Sequence, residues 1–314
     1  MLALLFASVS QGSTAEKPTT MTSGSTRDQQ LSAALDHLEH KALLDAAENF
    51  VERMEAIDML EFQLLGATDP TASPTLQRAE ALKQRLDETN NRLFSTLRTA
   101  VRANERAFVK QTLQAAAQQI PDDPEESDDL GYDALDMLIN GLLEIDFVPE
   151  EAAELETDLV FYQPTPARII LKLIDILRPT ADDVLYDLGS GLGHVPILVN
   201  LLTGIRTRGV ELEESYCRYA NACVQALALT DVTFVQADAR SADFSEATIF
   251  YLYTPFQGAV LQQVLGRLAK EAEQRPIRVC TYGPCTLPVA LQSWLKPIYR
   301  TGNREGSFAI FGSA

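Results

Sequence analysis

Apolar side chains recur at helical spacing along the first part of the chain. From about Asp28 to Leu65, the residues Leu31, Leu35, Leu38, Ala42, Phe50, Met54 and Ile57 share one stripe, which predicts one long amphipathic helix. The stretch from Gly66 to Pro74 breaks it. Ser73 is a good N-cap, and Pro74 suits the first position of the next helix. That second helix is expected to reach about Ile120, with Leu82, Leu86, Leu93, Leu97, Val101 and Phe108 on its buried stripe. Two such helices joined by a short loop predict an antiparallel helical hairpin over residues 28–120.

From Phe161 the texture changes to strand-like runs alternating with helical ones. The expected strands are Asp183–Leu188, Thr207–Leu212, Val232–Gln236, Thr248–Tyr253 and Ile277–Thr281. Helices are expected over about Gly193–Leu202, Glu214–Leu227, Phe256–Ala272 and Leu287–Ser293. Alternation of this kind predicts a parallel sheet covered on both faces. The end of the chain, Lys296–Arg300 and Phe308–Phe311 around a polar turn, predicts a terminal β-hairpin.

Charge sharpens the division. The chain carries 26 basic and 44 acidic residues, a net charge of −18. Residues 1–160 hold 12 basic and 30 acidic side chains, whereas residues 161–314 hold 14 of each. An acidic first half disfavours nucleic acid as a partner and suits a cationic or protein one. Residues 121–160 contain 15 acidic residues and no Lys or Arg, which predicts a solvated linker with one short helix, about Tyr132 to Leu143. The same acidity would let the segment act as a flap that attracts a cationic substrate. Residues 1–27 read as a disordered Ser/Thr-rich lead-in, within which Met21 is an alternative start. The apolar run at Met1–Ser10 is short and lacks a basic flank, so a signal peptide is the lesser reading and a cytoplasmic location the expected one. No apolar run approaches a membrane span. Cys217, Cys223, Cys280 and Cys285 follow no zinc spacing, so buried free thiols and no metal are expected.

The chemistry is concentrated after the first strand. Asp187-Leu-Gly-Ser-Gly-Leu-Gly193 joins that strand to a helix. Without Cβ atoms, Gly189, Gly191 and Gly193 let a ligand meet the backbone beside Ser190, with helix N–H groups facing it. Glu211 ends the second strand, where a carboxylate can accept both hydroxyls of an adenosine ribose. Asp238, followed by Ala239, lies just past the third strand and can accept a hydrogen bond from an adenine amino group. Any one of these is a weak signal; their order and intervals together are a strong one.

With these residues the chain resembles the class I S-adenosylmethionine-dependent methyltransferases over about residues 161–314. The segment Asp187–Gly193 matches their first motif, Glu211 the second and Asp238 the third. The resemblance implies an α/β, Rossmann-like seven-stranded sheet with a terminal antiparallel hairpin, here preceded by an α-helical N-terminal domain. It also implies S-adenosylmethionine as cofactor, with Asp187 helping to hold the methionine end. In similar enzymes the segment before strand one covers the cofactor, which implies that Tyr162 and Thr165 touch it. A capping turn before the helix near Ala167 is the alternative for that segment. A nicotinamide-binding domain, as in an NAD-dependent dehydrogenase, is the rival, but its fingerprint wants Gly or Ala where this chain has His194.

The first two motifs are also similar to those of the non-SET histone-lysine methyltransferases. At strand four, however, the chain reads Tyr253-Thr-Pro-Phe256, neither their paired asparagines nor an Asn-Pro-Pro-aromatic motif, so the methyl acceptor is not legible there. Tyr253, Thr254 and His194 are the candidates for the acceptor site, and Phe256 for its wall or for the core. A protein side chain or a small molecule is the expected acceptor. Two other readings are a non-catalytic cofactor-binding module and an interaction protein that self-associates or docks a partner through its helical hairpin.

Overall fold

The computed structural model describes residues 24–41, 46–65, 73–120, 131–149, 160, 162–301 and 307–313. The chain folds into two compact units. The described residues of one fall within Met1–Thr99, Gln111–Pro121 and Asp133–Phe147; those of the other fall within Ala100–Lys110, Asp122–Tyr132 and Val148–Ala314. The units interleave in sequence, where boundaries after residues 120 and 160 had been expected. Most of the lead-in and half of the acidic linker lie outside the described residues.

Helices α1 (Gly24–Glu39), α2 (Phe50–Leu65) and α3 (Pro74–Arg102) share an apolar core built from Leu31, Leu35, Ile57, Leu60, Leu82 and Leu86. The helix expected to run unbroken over 28–65 is therefore two, and α1 starts at Gly24, inside the expected lead-in. A buried arginine lies just past the break. Arg53 is fully enclosed; its Nε donates to Asn90 Oδ1 at 2.6 Å and its Nη1 to the Ala46 carbonyl at 2.8 Å. The same carbonyl also accepts the Asn49 N–H at 3.2 Å, so it serves both the turn that leads into α2 and the guanidinium. Ser73 caps α3 as its sequence predicts, its Oγ accepting from the Thr75 N–H.

The second long helix is also broken. It stops at Arg102, Asn104 turns left-handed with φ +59°, and the Glu105 N–H reaches back to the Ala100 carbonyl at 2.8 Å. This is the glycine-type helix stop with an asparagine in the left-handed place. Helix α4 (Arg106–Gln119) restarts out of phase with α3. Phe108, expected on the buried stripe, is 40% exposed, and Val109, Leu113 and Ala116 are buried instead. Helix α5 (Ala134–Leu143) opens with a capping box between Asp133 and Asp136. Gly141 lets it approach α3 closely, since a Cβ there would lie 2.4 Å from the Phe94 ring.

The other unit is a single seven-stranded sheet. Its strands are β1 (Val184–Leu188), β2 (Arg206–Glu211), β3 (Val232–Gln236), β4 (Ile249–Tyr253), β5 (Arg278–Tyr282), β6 (Leu295–Arg300) and β7 (Ala309–Ser313). Their spatial order is β3-β2-β1-β4-β5-β7-β6. All pairings are parallel except those of β7, which runs antiparallel to both β5 and β6. The connecting helices are α6 (Ala167–Leu177), α7 (His194–Thr203), α8 (Glu214–Ala226), α9 (Gly258–Ala272) and the short α10 (Thr286–Ala290). The main core joins Tyr186, Leu188, Phe250 and Leu252 of the sheet to Val260, Val264 and Leu268 of α9, and Phe256 is part of it. This is the fold expected of residues 161–314, terminal hairpin included; the hairpin's turn at 302–306 lies outside the described residues. All four cysteines are buried and none of them is in a disulfide. Among the described residues no helix is long and apolar enough to cross a membrane.

Candidate functional site

Strand order reverses between β1 and β4, and at such a point the loops leaving the carboxyl ends of parallel strands diverge to leave a crevice. The turn after β1 is built on left-handed glycines, with φ +81° at Gly189, +52° at Gly191 and +93° at Gly193. Each missing Cβ admits a different neighbour. A Cβ on Gly189 would lie 2.2 Å from Pro255 Cβ, one on Gly191 2.2 Å from the Tyr162 ring, and one on Gly193 2.5 Å from the Phe234 ring. The glycines thus let the exit of β4, the segment before α6 and strand β3 all close on one turn.

Glu211 is bound into that turn. Its Oε2 accepts the Gly191 N–H at 2.7 Å and its Oε1 the Glu213 N–H at 2.8 Å. With about four lone-pair sites on a carboxylate, each oxygen retains acceptor capacity. Burial still pushes its pKa up, against the backbone N–H groups that pull it down. Asp187, on the neighbouring strand, is only 4% exposed, and burial together with the charge of Glu211 pushes it well above the usual carboxylate range. Two buried carboxylates beside a glycine turn suit a cationic, ribose-bearing ligand, whereas the pyrophosphate of a dinucleotide would add negative charge to a site already short of solvation. S-adenosylmethionine, with its sulfonium and ammonium groups, fits this donor set.

Tyr162 lies across Gly191, with its ring 5.1 Å from that of Tyr216. Its hydroxyl is 3.4 Å from His194 Nδ1. Thr165 is buried, its Oγ1 3.2 Å from the Tyr251 hydroxyl. Tyr251 is the register partner of Asp187. Tyr162 and Thr165 are therefore brought to the two ends of the β1 motif. Ser190 is also buried, but its unpartnered Oγ is turned toward β2, 2.4 Å from where a Gly209 Cβ would stand.

Asp238 is not a solitary acceptor. Its carboxylate grips the Arg240 side chain, with Oδ2 2.6 Å from Nη2, and also accepts the Arg240 N–H at 2.7 Å. That pairing holds its pKa below the ordinary value. Ala239 is buried behind it, its carbonyl accepting from Arg267 Nη1.

The three acceptor-site candidates have different surroundings. The Tyr253 ring is half-buried and lies 4.7 Å from that of Tyr282. Thr254 is left-handed, φ +42°, an unfavourable conformation for a β-branched residue. Its hydroxyl donates to the Tyr282 carbonyl and accepts the Cys285 N–H, so it fastens the exit of β4 to β5. His194 is buried at the start of α7, and burial pushes its pKa down to about 4. As the pH drops below the ordinary value of 6.5, the unfolded chain binds a proton there that the folded protein refuses until about pH 4. Stability should therefore fall as pH drops through that window, by up to roughly 3 kcal/mol. Thermal melts of His194→Asn between pH 7 and pH 4 should show a visibly flatter decline than the wild type; equal slopes would mean that His194 is not the group responsible.

Tyr251, Tyr216, Pro255 and Arg240 were not among the residues expected here. Tyr251 lies on the predicted strand two residues before Tyr253, Pro255 lies within the Tyr253–Phe256 stretch that ends it, and Arg240 stands two residues after Asp238; Tyr216 arrives through tertiary packing. Among the described residues no group of three or more His, Cys, Asp or Glu could hold a metal ion.

The strand order and this site define a domain of the class I S-adenosylmethionine-dependent methyltransferase type. Residues 158–244, which take in the glycine turn, Glu211 and Asp238, match the model of the family described as Histone methylation protein DOT1. The Protein-lysine N-methyltransferase of Saccharolobus islandicus (strain REY15A) is 29% identical over 94 residues, which are 29% of this chain and 58% of that relative. The chain thus spans little more than half the length of the curated relative it matches. Among solved structures, the RNA methyltransferase from Salinibacter ruber in complex with S-adenosyl-L-homocysteine is 28% identical, covering 48% of this chain and 92% of the other, with a TM-score of 0.39. The putative methyltransferase yhhF from Escherichia coli is 16% identical, covering 51% of this chain and 90% of the other, with a TM-score of 0.41.

Proposed function

We propose that the protein transfers a methyl group from S-adenosylmethionine to the side-chain amine of a protein lysine. The observation that carries the reading is a coincidence of position. The segment that matches the histone-methylation family, residues 158–244, is the segment that supplies the glycine turn, both buried carboxylates and Asp238. The curated relative's name, a protein-lysine N-methyltransferase, supports the acceptor.

When bound, the cofactor supplies an electrophilic methyl group on a positively charged sulfur. The chain's own residues bind it and exclude water. Asp187 sets negative charge at the methionine end, Glu211 accepts from the ribose, and Asp238 accepts from the adenine amine. Tyr162, Tyr251 and Tyr253 supply rings that keep the reacting line dry, where alignment contributes most. A lysine amine must shed its proton before it attacks. His194, with a pKa of about 4, is too weak a base to hold that proton, so in this reading the proton leaves to solvent and His194 packs against Tyr162. The paired rings of Tyr253 and Tyr282 at the β4 exit would receive an alkylammonium group. The acidity of residues 1–160 would draw a basic protein toward the enzyme. We place this activity in the cytoplasm, a location that suits cysteines outside any disulfide.

The test is transfer from methyl-tritiated S-adenosylmethionine by the full chain, offered core histones, transfer RNA and free lysine side by side. Label in methyl-lysine of acid-hydrolysed histone is the expected result. Label confined to RNA or to free lysine would overturn the acceptor, and cofactor binding without transfer to any of these probes would favour a non-catalytic binding module.

A further inference from the structure

We infer that Arg240 is a positioning residue for base recognition: it holds the Asp238 carboxylate in the orientation that reads the adenine amine. The inference rests on the proposed cofactor reading and adds a residue to it. Asp238 follows β3 in a loop that has no regular secondary structure, and a carboxylate on such a loop would ordinarily sample several rotamers.

Here it is held three ways. Arg240 Nε lies 3.0 Å from Oδ1 and 2.9 Å from Oδ2, and Nη2 lies 2.6 Å from Oδ2. The Arg240 backbone N–H adds a bond to Oδ1 at 2.7 Å. The three N–H groups make four contacts, because the Nε–H is shared between both oxygens; a shared bond is the weaker kind, and a further donor that reaches the exposed side of the carboxylate can take over part of it. An adenine amino group can be that donor, whereas a 6-oxo base offers an acceptor and would meet the carboxylate unfavourably. The two side chains stay partly exposed, 30% for Asp238 and 28% for Arg240, so a ligand can reach the carboxylate.

The loop beneath is fixed as well. Arg267 on α9 donates to the carbonyls of Ala239 and Ala242, and its guanidinium lies 4.6 Å from the Phe244 ring centroid. The Ala237 N–H donates to the Glu211 carbonyl at 2.9 Å, which ties the base-reading loop to the ribose-reading strand end. Arg240 therefore acts on a loop already pinned at both sides, and the freedom it removes is that of the Asp238 side chain.

The experiment compares S-adenosylhomocysteine with S-inosylhomocysteine, whose base carries a 6-oxo group in place of the amine, by calorimetric titration of the full chain. Wild type should prefer the adenosyl compound by about tenfold or more, the size of one hydrogen bond to a charged acceptor. In Arg240→Ala the preference should shrink to within about threefold, toward the level set by Asp238→Ala, which lacks the acceptor altogether. Arg240→Lys should recover part of it. Arg240→Gln provides a second probe should the alanine variant melt early. A merely structural arginine would weaken both ligands alike and leave their ratio intact, so an unchanged ratio in folded Arg240→Ala and Arg240→Gln overturns the inference while the cofactor reading stands. Wild-type protein that binds neither compound overturns both.

Discussion

Gly191→Val should abolish binding of S-adenosylmethionine while the protein still folds. Two independent features converge on this residue. Its φ of +52° lies in the left-handed region, which costs an ordinary L-residue roughly 1–2 kcal/mol and a β-branched one more. Its missing Cβ is also the space taken by the Tyr162 ring, 2.2 Å from where that atom would stand. A valine must displace Tyr162, and with it the tyrosine's contact to His194. The turn would open, and the Gly191 N–H would lose its place on Glu211. The sheet does not depend on this turn for its register, because the core of β1 and β4 lies behind it. Circular dichroism should therefore report near-native secondary structure, with a modest fall in melting temperature, and calorimetry no measurable cofactor binding. Retained wild-type affinity in a folded Gly191→Val protein would mean that the ligand does not approach the backbone at this turn.

Glu211→Ala should lower cofactor affinity by about 10- to 150-fold, as expected from removing hydrogen bonds to a charged acceptor that contribute roughly 1.5–3 kcal/mol. The structure gives a second reason for a large effect. The same carboxylate organises the site from within by accepting the N–H groups of Gly191 and Glu213. Alanine leaves both donors without that partner, and the Gly191 bond is buried. Glu211→Gln should fall between wild type and alanine: its amide oxygen can serve one N–H, but its NH2 faces the other. Titration of both variants, with melts to confirm folding, decides the matter. Alanine and glutamine variants that bind like wild type would reduce Glu211 to an ordinary strand-end acid.

The α/β unit was open to sequence reading because its signals are local. A strand, a glycine turn and a helix adjoin in the chain, and Glu211 and Asp238 follow at the ends of the next two strands; no distant residue is needed to see them. The helical unit was less open because its breaks carry weak local signals. Nothing near Ala46 announces that its carbonyl is wanted by a buried Arg53, whose other partner, Asn90, lies on α3. The stop at Asn104 is a single left-handed residue, and an asparagine there carries a much weaker signal than a glycine. Once the phase slips, Phe108 turns outward, although its spacing from Val101 suits one continuous stripe.

The site itself shows the same division. Glycines 189, 191 and 193 could be read directly as places of close approach, but which neighbour fills each place depends on Pro255, Tyr162 and Phe234, which come from the exit of β4, the segment before α6 and strand β3. Thr254 had been a candidate for acceptor chemistry on position alone. Its left-handed backbone, and the two bonds that spend its hydroxyl on Tyr282 of β5 and on Cys285 just beyond it, come from the meeting of β4 and β5 and leave no trace in the sequence. Arg240 stands two residues from Asp238, yet only the folded loop turns the guanidinium back onto the carboxylate.

The central claim is that the crevice at the β1–β4 switch point holds S-adenosylmethionine and not a dinucleotide. Calorimetric titration of the full chain with S-adenosylmethionine, S-adenosylhomocysteine and NAD tests it most directly, and repeating the S-adenosylmethionine titration in buffers of different ionisation enthalpy sharpens it. Burial and Glu211 raise the pKa of Asp187, so a cationic ligand, by stabilising the carboxylate, should pull that pKa down. Binding should then release protons, and affinity should rise with pH through the raised pKa of Asp187. The account predicts binding of both adenosyl compounds, none of NAD, and proton release with S-adenosylmethionine that disappears in Asp187→Asn. Binding of NAD without either adenosyl compound would contradict it.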